Sequence, residues 1–173
     1  MRTTNDKDMK KIILLLGCCL FFNSIFAQEG FLSTSVKDIK GKTKKVSEYV
    51  AQEGLTVFIF WKSCCPNSLG VLSSLQDALE ESEEPDVPLT FVLVSMDDSR
   101  NVGRVRPIVG AYNWIWGVIL DVNQELSRST NMIIPPQWLV VNPKGEEVFR
   151  CKITSSATGV EYYLNEIKSL KLN

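Results

Sequence analysis

Histidine is absent from the 173-residue sequence. Its absence excludes a Ser-His-Asp or Cys-His nucleophile and any metal site built on imidazole ligands. A formal net charge of −1 gives no electrostatic basis for binding nucleic acid. With 45% hydrophobic and 23% charged residues, the composition is typical of one globular domain. We therefore expect a single folded domain with no nucleic-acid partner, no metal and no cofactor, whose oligomeric state the sequence leaves open.

Long apolar runs are scarce, and the one near the N-terminus has the order of a targeting segment. Met9-Lys10-Lys11 precedes "IILLLGCCLFFNSIFA", residues 12–27. A basic stretch, an apolar stretch and a small residue are typical of a secretory signal, whereas a membrane-spanning helix needs roughly 20 apolar residues. We expect residues 1–27 to be a signal peptide, with the start at Met9, and residues 28–173 to form a domain exported to the periplasm or envelope. The alternative is a retained N-terminal membrane anchor.

Cysteine is also scarce, since only five are present. Removal of the signal peptide leaves Cys64, Cys65 and Cys151. An odd number of cysteines in an oxidising compartment leaves at least one thiol without a partner in the chain, and so few cannot make a disulfide scaffold. A reactive thiol is therefore worth considering.

Apolar patterns predict strands that alternate with helices. The runs "LTVFIFW" (residues 55–61) and "LTFVLVSM" (residues 89–96) are typical of buried central strands. Between them, leucines at helical spacing predict an amphipathic helix that begins near Pro66, where the missing N–H costs nothing. Asp97 and Asp98 are interpreted as helix caps, and Pro107 should kink or shorten the helix that follows.

The second half of the chain continues this alternation. "GVILD" predicts a short strand, "NQELSRST" a short helix, "PPQWLVVNPKGEEVFRCKI" a hairpin, and "GVEYYLNEIKSLK" a closing helix. "KDIKGKTKK" predicts a solvated hairpin before the core. The order as a whole predicts an α/β sandwich in which helices flank a central mixed β-sheet.

The stretch "WKSCCPNS", residues 61–68, carries the chemistry. Cys65 falls where a buried strand ends and a helix begins, so its sulfur should face unpaired backbone N–H groups and the positive end of the helix dipole. Such positions can lower a thiol pKa from ~8.5 into a range of roughly 3.5–7.5. The thiolate is the nucleophile of disulfide exchange, so Cys65 can react without any histidine.

"FIFWKSCCPNS" resembles the active-site segment of thioredoxin-like proteins, in particular the exported TlpA/ResA-type thiol-disulfide oxidoreductases, which are related to the AhpC/TSA group. "PPQWLVVNPKG" is similar to the later landmark of these proteins. The resemblance implies a thioredoxin-like fold with an N-terminal hairpin extension. It also implies that Cys65 is the attacking cysteine and that Pro136 is a cis-proline beside it. Trp61, Pro66 and Asn67 would shape the site.

The motif departs from this pattern where the chemistry happens. Ser68 occupies the position of the resolving cysteine, and a serine cannot release a mixed disulfide by internal exchange. Cys64 replaces an aromatic residue, and Ile59 stands at a strand position that often carries an acid or amide. Full cycling therefore needs another thiol, from Cys64, Cys151 or a partner. A Cys64–Cys65 disulfide would be strained, because adjacent Cα atoms lie about 3.8 Å apart against the usual ~4.4–6.8 Å.

Cys151 is a candidate distant resolving thiol. If Val141 pairs with Glu146 at the hairpin turn, Pro136 comes opposite Cys151, at the end of the sheet that carries the site. The commoner alternative is a buried, inert strand cysteine. A slip of one residue would turn Cys151 to the other face of the sheet.

The sequence thus favours thiol-disulfide exchange through Cys65 with protein thiols or disulfides, including a membrane redox partner. One alternative is a thioredoxin-fold module that binds without turnover. A less favoured one is a one-cysteine peroxidase, because Lys62 and Trp61 stand where peroxiredoxins of this layout place threonine. Trp114, Trp116 and Trp138 are interpreted as a substrate groove or, more commonly, as packing.

Overall fold

The computed structural model describes residues 30–82, 87–154 and 157–170, so the predicted signal peptide lies outside the described residues. The described chain contains a seven-stranded sheet with the order β2-β1-β5-β4-β3-β6-β7. The strands are β1 (Ser35–Asp38), β2 (Thr43–Lys45), β3 (Leu55–Trp61), β4 (Leu89–Ser95), β5 (Gly117–Leu120), β6 (Gln137–Val141) and β7 (Glu147–Lys152). The α-helices are α1 (Pro66–Glu81), α2 (Val105–Ala111), α3 (Glu125–Ser129) and α4 (Ala157–Lys168). Short 3-10 helices span Val46–Tyr49 and Val102–Arg104.

The central strands place the helices by a handedness rule. Strands β3, β4 and β5 are parallel neighbours and step across the sheet in one direction. Right-handed crossovers in one direction put the intervening helices α1 and α2 on the same face. Helix α4 joins them there, and the core on that face includes Leu72, Val105 and Leu164. The chain returns by way of α3, whose Leu126 packs in the core of the opposite face.

Strand β3 lies at the centre, and every one of its residues is buried. Ile59 and Trp61 point into the core beneath α1, whereas Phe58 and Phe60 point into the other core. This burial on both faces explains the continuous apolar run of β3. The predicted α/β sandwich with a mixed sheet is confirmed, and so is the N-terminal hairpin, which β1 and β2 form.

The late hairpin forms with a register that differs from the predicted one. Val141 pairs with Glu147 rather than Glu146, and Val140 pairs with Phe149, so the ladder is irregular at this point. One extra residue in β7 therefore forms a β-bulge, which shifts every later pair. Cys151 consequently lies opposite Trp138. The prediction that Cys151 faces Pro136 is wrong, because turn and bulge geometry are not visible in an apolar pattern.

Neither aspartate after β4 is the N-cap of a helix, so the predicted caps are wrong. Asp98 instead accepts hydrogen bonds from the backbone N–H groups of Arg100 and Asn101, at 3.0 and 3.1 Å, and stabilises the turn before the 3-10 helix. Asp97 does not cap a helix, because its carboxylate is buried and bonded elsewhere. Helix α2 is short, with Pro107 in its first turn, where proline fits.

Across the described ranges, no helix combines the length and the apolar character that crossing a bilayer would require.

Candidate active site

The candidate site is built where β3 passes into α1. Residues Lys62–Cys65 form a turn in which the Cys65 N–H donates to the Lys62 carbonyl oxygen over 3.1 Å. Cys65 has extended backbone angles and is the N-cap residue of α1, and Pro66 is the first helical residue. The predicted helix start is therefore confirmed. The first N–H groups of a 16-residue helix lie directly beyond the Cys65 backbone, so the helix dipole favours a negative charge there.

The residues of the motif differ in exposure. Cys64 is exposed and Cys65 is partly buried, and both are free thiols. Ser68 is completely buried, and its Oγ accepts a long 3.5 Å hydrogen bond from the Lys62 N–H. The hydroxyl at the position of a resolving cysteine therefore lies under the turn that carries Cys64 and Cys65.

The second landmark meets the first through a short chain of hydrogen bonds. The Pro135–Pro136 peptide bond is cis, the conformation that the resemblance implies for Pro136. The Pro136 carbonyl oxygen accepts a hydrogen bond from the Ile153 N–H at 3.2 Å. The Ile153 carbonyl oxygen in turn accepts one from the Asn67 side-chain amide at 3.3 Å. Asn67 is thus tied to the cis-proline loop through the end of β7.

The tryptophans pack rather than form a groove. Trp61 and Trp138 are fully buried, and Trp114 is 5% exposed. The rings of Trp61 and Trp114 meet edge to face at a centroid distance of 5.5 Å, and Trp116 stacks on Trp114. These contacts agree with the packing interpretation.

Cys151 lies in a poor position for a nucleophile. It is partly buried against the core on the α1 face. Burial raises its thiol pKa to about 12, and a backbone hydrogen bond from Trp138 offsets this only in part. Such a thiol stays protonated at neutral pH, whereas the thiolate is the attacking form.

Asp97 is a site residue that the sequence reasoning missed. Its side chain is 2% exposed and accepts hydrogen bonds from the Ser63 N–H and hydroxyl, the latter at 2.7 Å. Ser63 is the residue directly before Cys64. A usable signal was present, because the two predicted strands align from Leu55 and Leu89 onward, and this alignment brings Ser63 opposite Asp97.

Apolar side chains are exposed on loops at this end of the sheet. Ile133 and Ile134, which directly precede Pro135, are 52% and 58% exposed. The Ile134 N–H donates to the side-chain carbonyl of Gln137 over 3.1 Å, which ties the loop to the start of β6. The Gln137 side chain thus supports the cis-proline loop.

Comparisons with known proteins identify the fold. No protein-family model matches the chain, and no curated protein does. Solved structures do match, and they are thioredoxin-like, so the chain has the thioredoxin-like fold that the sequence predicts. An uncharacterized thioredoxin-like protein from Porphyromonas gingivalis is 22% identical with a TM-score of 0.67, over 80% of this chain and 89% of that one.

Two further structures represent different redox proteins. A secreted disulfide oxidoreductase of Mycobacterium tuberculosis, homologous to DsbE of Escherichia coli, is 18% identical with a TM-score of 0.63. That match covers 80% of this chain and 97% of the other. The bacterioferritin comigratory protein of Xanthomonas campestris, described with alkyl peroxide reduction activity, is 15% identical with a TM-score of 0.67. That match covers 82% of this chain and 94% of the other.

Proposed function

We propose that this protein is an exported thioredoxin-like protein that performs thiol-disulfide exchange through Cys65. The observation that carries the proposal is the position of Cys65 as N-cap of a 16-residue helix that starts with Pro66. The first backbone N–H groups of the helix favour negative charge at this position, so the site needs no histidine. The similarity in fold to the secreted disulfide oxidoreductase supports both the chemistry and the export.

The proposed reaction starts with attack of the Cys65 thiolate on one sulfur of a partner disulfide. The partner S–S bond breaks, a mixed disulfide forms, and the other partner sulfur leaves as a thiolate. A second thiol must then attack the mixed disulfide, which returns Cys65 to its thiolate and leaves a new disulfide on the partner side. Ser68 has no sulfur, attack by Cys64 would form the strained Cys64–Cys65 disulfide, and Cys151 has a raised pKa. The second thiol is therefore assigned to the partner or to another exported thiol protein, including a membrane redox partner.

The partner surface is assigned to the cis-proline side of the site. Ile133 and Ile134 expose apolar side chains there, and the Asn67–Ile153–Pro136 hydrogen bonds hold the loop in place. Partners that carry an apolar residue near the reacting cysteine fit this surface. The substrates are accordingly protein thiols or disulfides.

A binding module without turnover is the second candidate. Buried Ser68 and Ile59 favour it, because neither can resolve a disulfide or accept a proton. A one-cysteine peroxidase is a third candidate, suggested by the fold of the Xanthomonas protein. It is less favoured, since Lys62 and Trp61 stand in place of the threonine.

Trapping of mixed disulfides tests the proposal. The mature protein is incubated with a disulfide-containing peptide, and the covalent product is mapped by mass spectrometry. Cys65→Ser should abolish the product, whereas the matched variant Cys64→Ser should only weaken it. Equal product from the wild type and Cys65→Ser would refute the assignment, and no product from the wild type would favour the binding module. N-terminal sequencing of the protein from the envelope tests export, with Gln28 as the expected first residue.

A further inference from the structure

The parallel ladder between β3 and β4 continues beyond its last strand pair through a side chain. Trp61 pairs with Ser95, and Ser63 and Asp97 lie at the same sequence separation of 34. The Ser63 N–H donates to the two carboxylate oxygens of Asp97, at 3.0 and 3.3 Å. The carboxylate therefore takes the place of a backbone carbonyl and holds the segment that follows β3.

Hydrogen-bond donors surround the Asp97 carboxylate. The hydroxyls of Ser63 and Ser95 donate to its oxygens at 2.7 and 2.8 Å, and Ser63 and Ser95 are themselves buried. A buried carboxylate is costly unless it is hydrogen-bonded. Here the donors to the Asp97 carboxylate come from Ser63, after β3, and from Ser95, in β4. These bonds therefore hold Ser63 against the end of β4.

Ser63 is the second residue of the turn Lys62–Cys65. The turn closes through the Cys65 N–H and the Lys62 carbonyl oxygen, and Cys65 is then the N-cap of α1. The hydrogen bonds that hold Ser63 therefore determine where Cys65 lies relative to the first N–H groups of the helix.

We propose that Asp97 and Ser63 are positioning residues, which hold Cys65 at the N-terminus of α1 through a buried carboxylate clamp on the preceding turn. The proposal rests on the proposed function in that Cys65 is the reacting thiol. Neither residue touches the sulfur in this role.

The test measures how fast Cys65 reacts with two probes. All proteins carry Cys64→Ser, and the modification of Cys65 by iodoacetamide and by oxidised glutathione is followed by peptide mass. Asp97→Asn places an NH₂ donor in a cluster of donors, and Ser63→Ala removes the hydroxyl. Each should slow alkylation of Cys65 about two- to fivefold, the range that a charge at a helix N-terminus gains from the helix dipole.

Two further measurements separate positioning from general loosening. The double variant should be no slower than the slower single variant, because both changes remove one contact. Ser63→Thr keeps the hydroxyl and should restore the rate. Asp121 offers a matched control, since its buried carboxylate accepts hydrogen bonds from the Ser127 N–H and hydroxyl at 2.8 and 2.5 Å. Its link to the clamp runs through the backbone, where the Asp121 N–H donates to the Ser95 carbonyl oxygen over 2.9 Å, and the side-chain substitution leaves that bond in place. Asp121→Asn and Ser127→Ala should lower stability and leave the Cys65 rate unchanged.

Unchanged alkylation in Asp97→Asn and Ser63→Ala would overturn the proposal, as would an equal loss in Asp121→Asn. Slower alkylation in the Asp97 and Ser63 variants, with the controls unchanged, would establish it. The two probes distinguish a failure of the positioning proposal from a failure of the proposed disulfide exchange. If wild-type Cys65 fails to exchange with oxidised glutathione while alkylation responds as expected, disulfide exchange is refuted and positioning stands.

Discussion

The side-chain amide of Asn67 donates a hydrogen bond to the carbonyl oxygen of Ile153 over 3.3 Å, although the two residues lie 86 positions apart in the chain. Asn67 belongs to the first turn of α1, and Ile153 follows β7 and also bonds to Pro136. One side chain thus joins the cysteine motif to the cis-proline loop.

Removal of this amide should loosen the loop. Asn67→Ala leaves the Ile153 carbonyl without its side-chain donor and should lower the free energy of unfolding by about 1 kcal/mol. Amide hydrogen exchange at Ile153 should become faster, because its bond to Pro136 loses support. Gln76→Ala removes a local bond to Glu80 in the same helix and should change stability by less than ~0.5 kcal/mol. Equal effects of the two variants would show that Asn67 makes no special contribution.

Restoration of a second cysteine should change the product of the reaction with insulin. Ser68→Cys places a thiol one helical turn from Cys65, where it can attack a mixed disulfide and release the partner. With the reduced protein as the only thiol present, the wild type should stop at a mixed disulfide with insulin, whereas Ser68→Cys should release insulin thiols. Ser73→Cys introduces the same thiol further along α1 and should also stop at the mixed disulfide. Release of insulin thiols by both variants, or by neither, would contradict the expectation.

Stability should decrease at alkaline pH. Burial raises the thiol pKa of Cys151 from 9.0 to about 12. Burial, followed by the charges of Asp38 and Glu48, raises the phenol pKa of Tyr49 from 10.0 to about 12. In both cases the unfolded chain releases its proton at a lower pH than the folded chain. Stability is therefore fully present below pH ~9 and falls as pH rises toward ~12.

Urea unfolding across this range checks the assignment. Cys151→Ala combined with Tyr49→Phe should flatten the decrease, whereas Tyr112→Phe, at an exposed tyrosine, should leave it in place. An undiminished slope in the double variant would mean that other groups control alkaline stability.

Gly54 should not tolerate a side chain. Its φ is +76°, and an added Cβ would lie 2.1 Å from the Pro88 carbonyl oxygen, which already accepts the Leu55 N–H. The left-handed conformation alone costs roughly 1–2 kcal/mol for other residues, so Gly54→Ala should destabilise the protein by more than ~2 kcal/mol. Gly110→Ala, in α2 with open space around it, should instead stabilise by roughly 0.5–1 kcal/mol. Thermal unfolding of both variants tests these expectations, and a Gly54→Ala variant with unchanged stability would refute the clash.

Much of the fold and part of the site were predictable from local sequence. The apolar run of β3 is typical of a strand buried on both faces, and Pro66 suits the first turn of a helix. The order of the landmarks implied the thioredoxin-like fold and a cis peptide before Pro136. These features depend on a few neighbouring residues or on one ordered pattern, so a single sequence carries them.

Other features were decided by tertiary structure. The bulge in β7 moved Cys151 from Pro136 to Trp138, because strand register depends on the turn and on packing against β6. The clamp of Asp97 on Ser63 joins residues from two strands and exists only once the sheet has formed. The sequence by itself determined which thiol lies at the helix start. Only the folded sheet decided which side chains hold it there, because these hydrogen bonds join distant segments that meet when the strands pair.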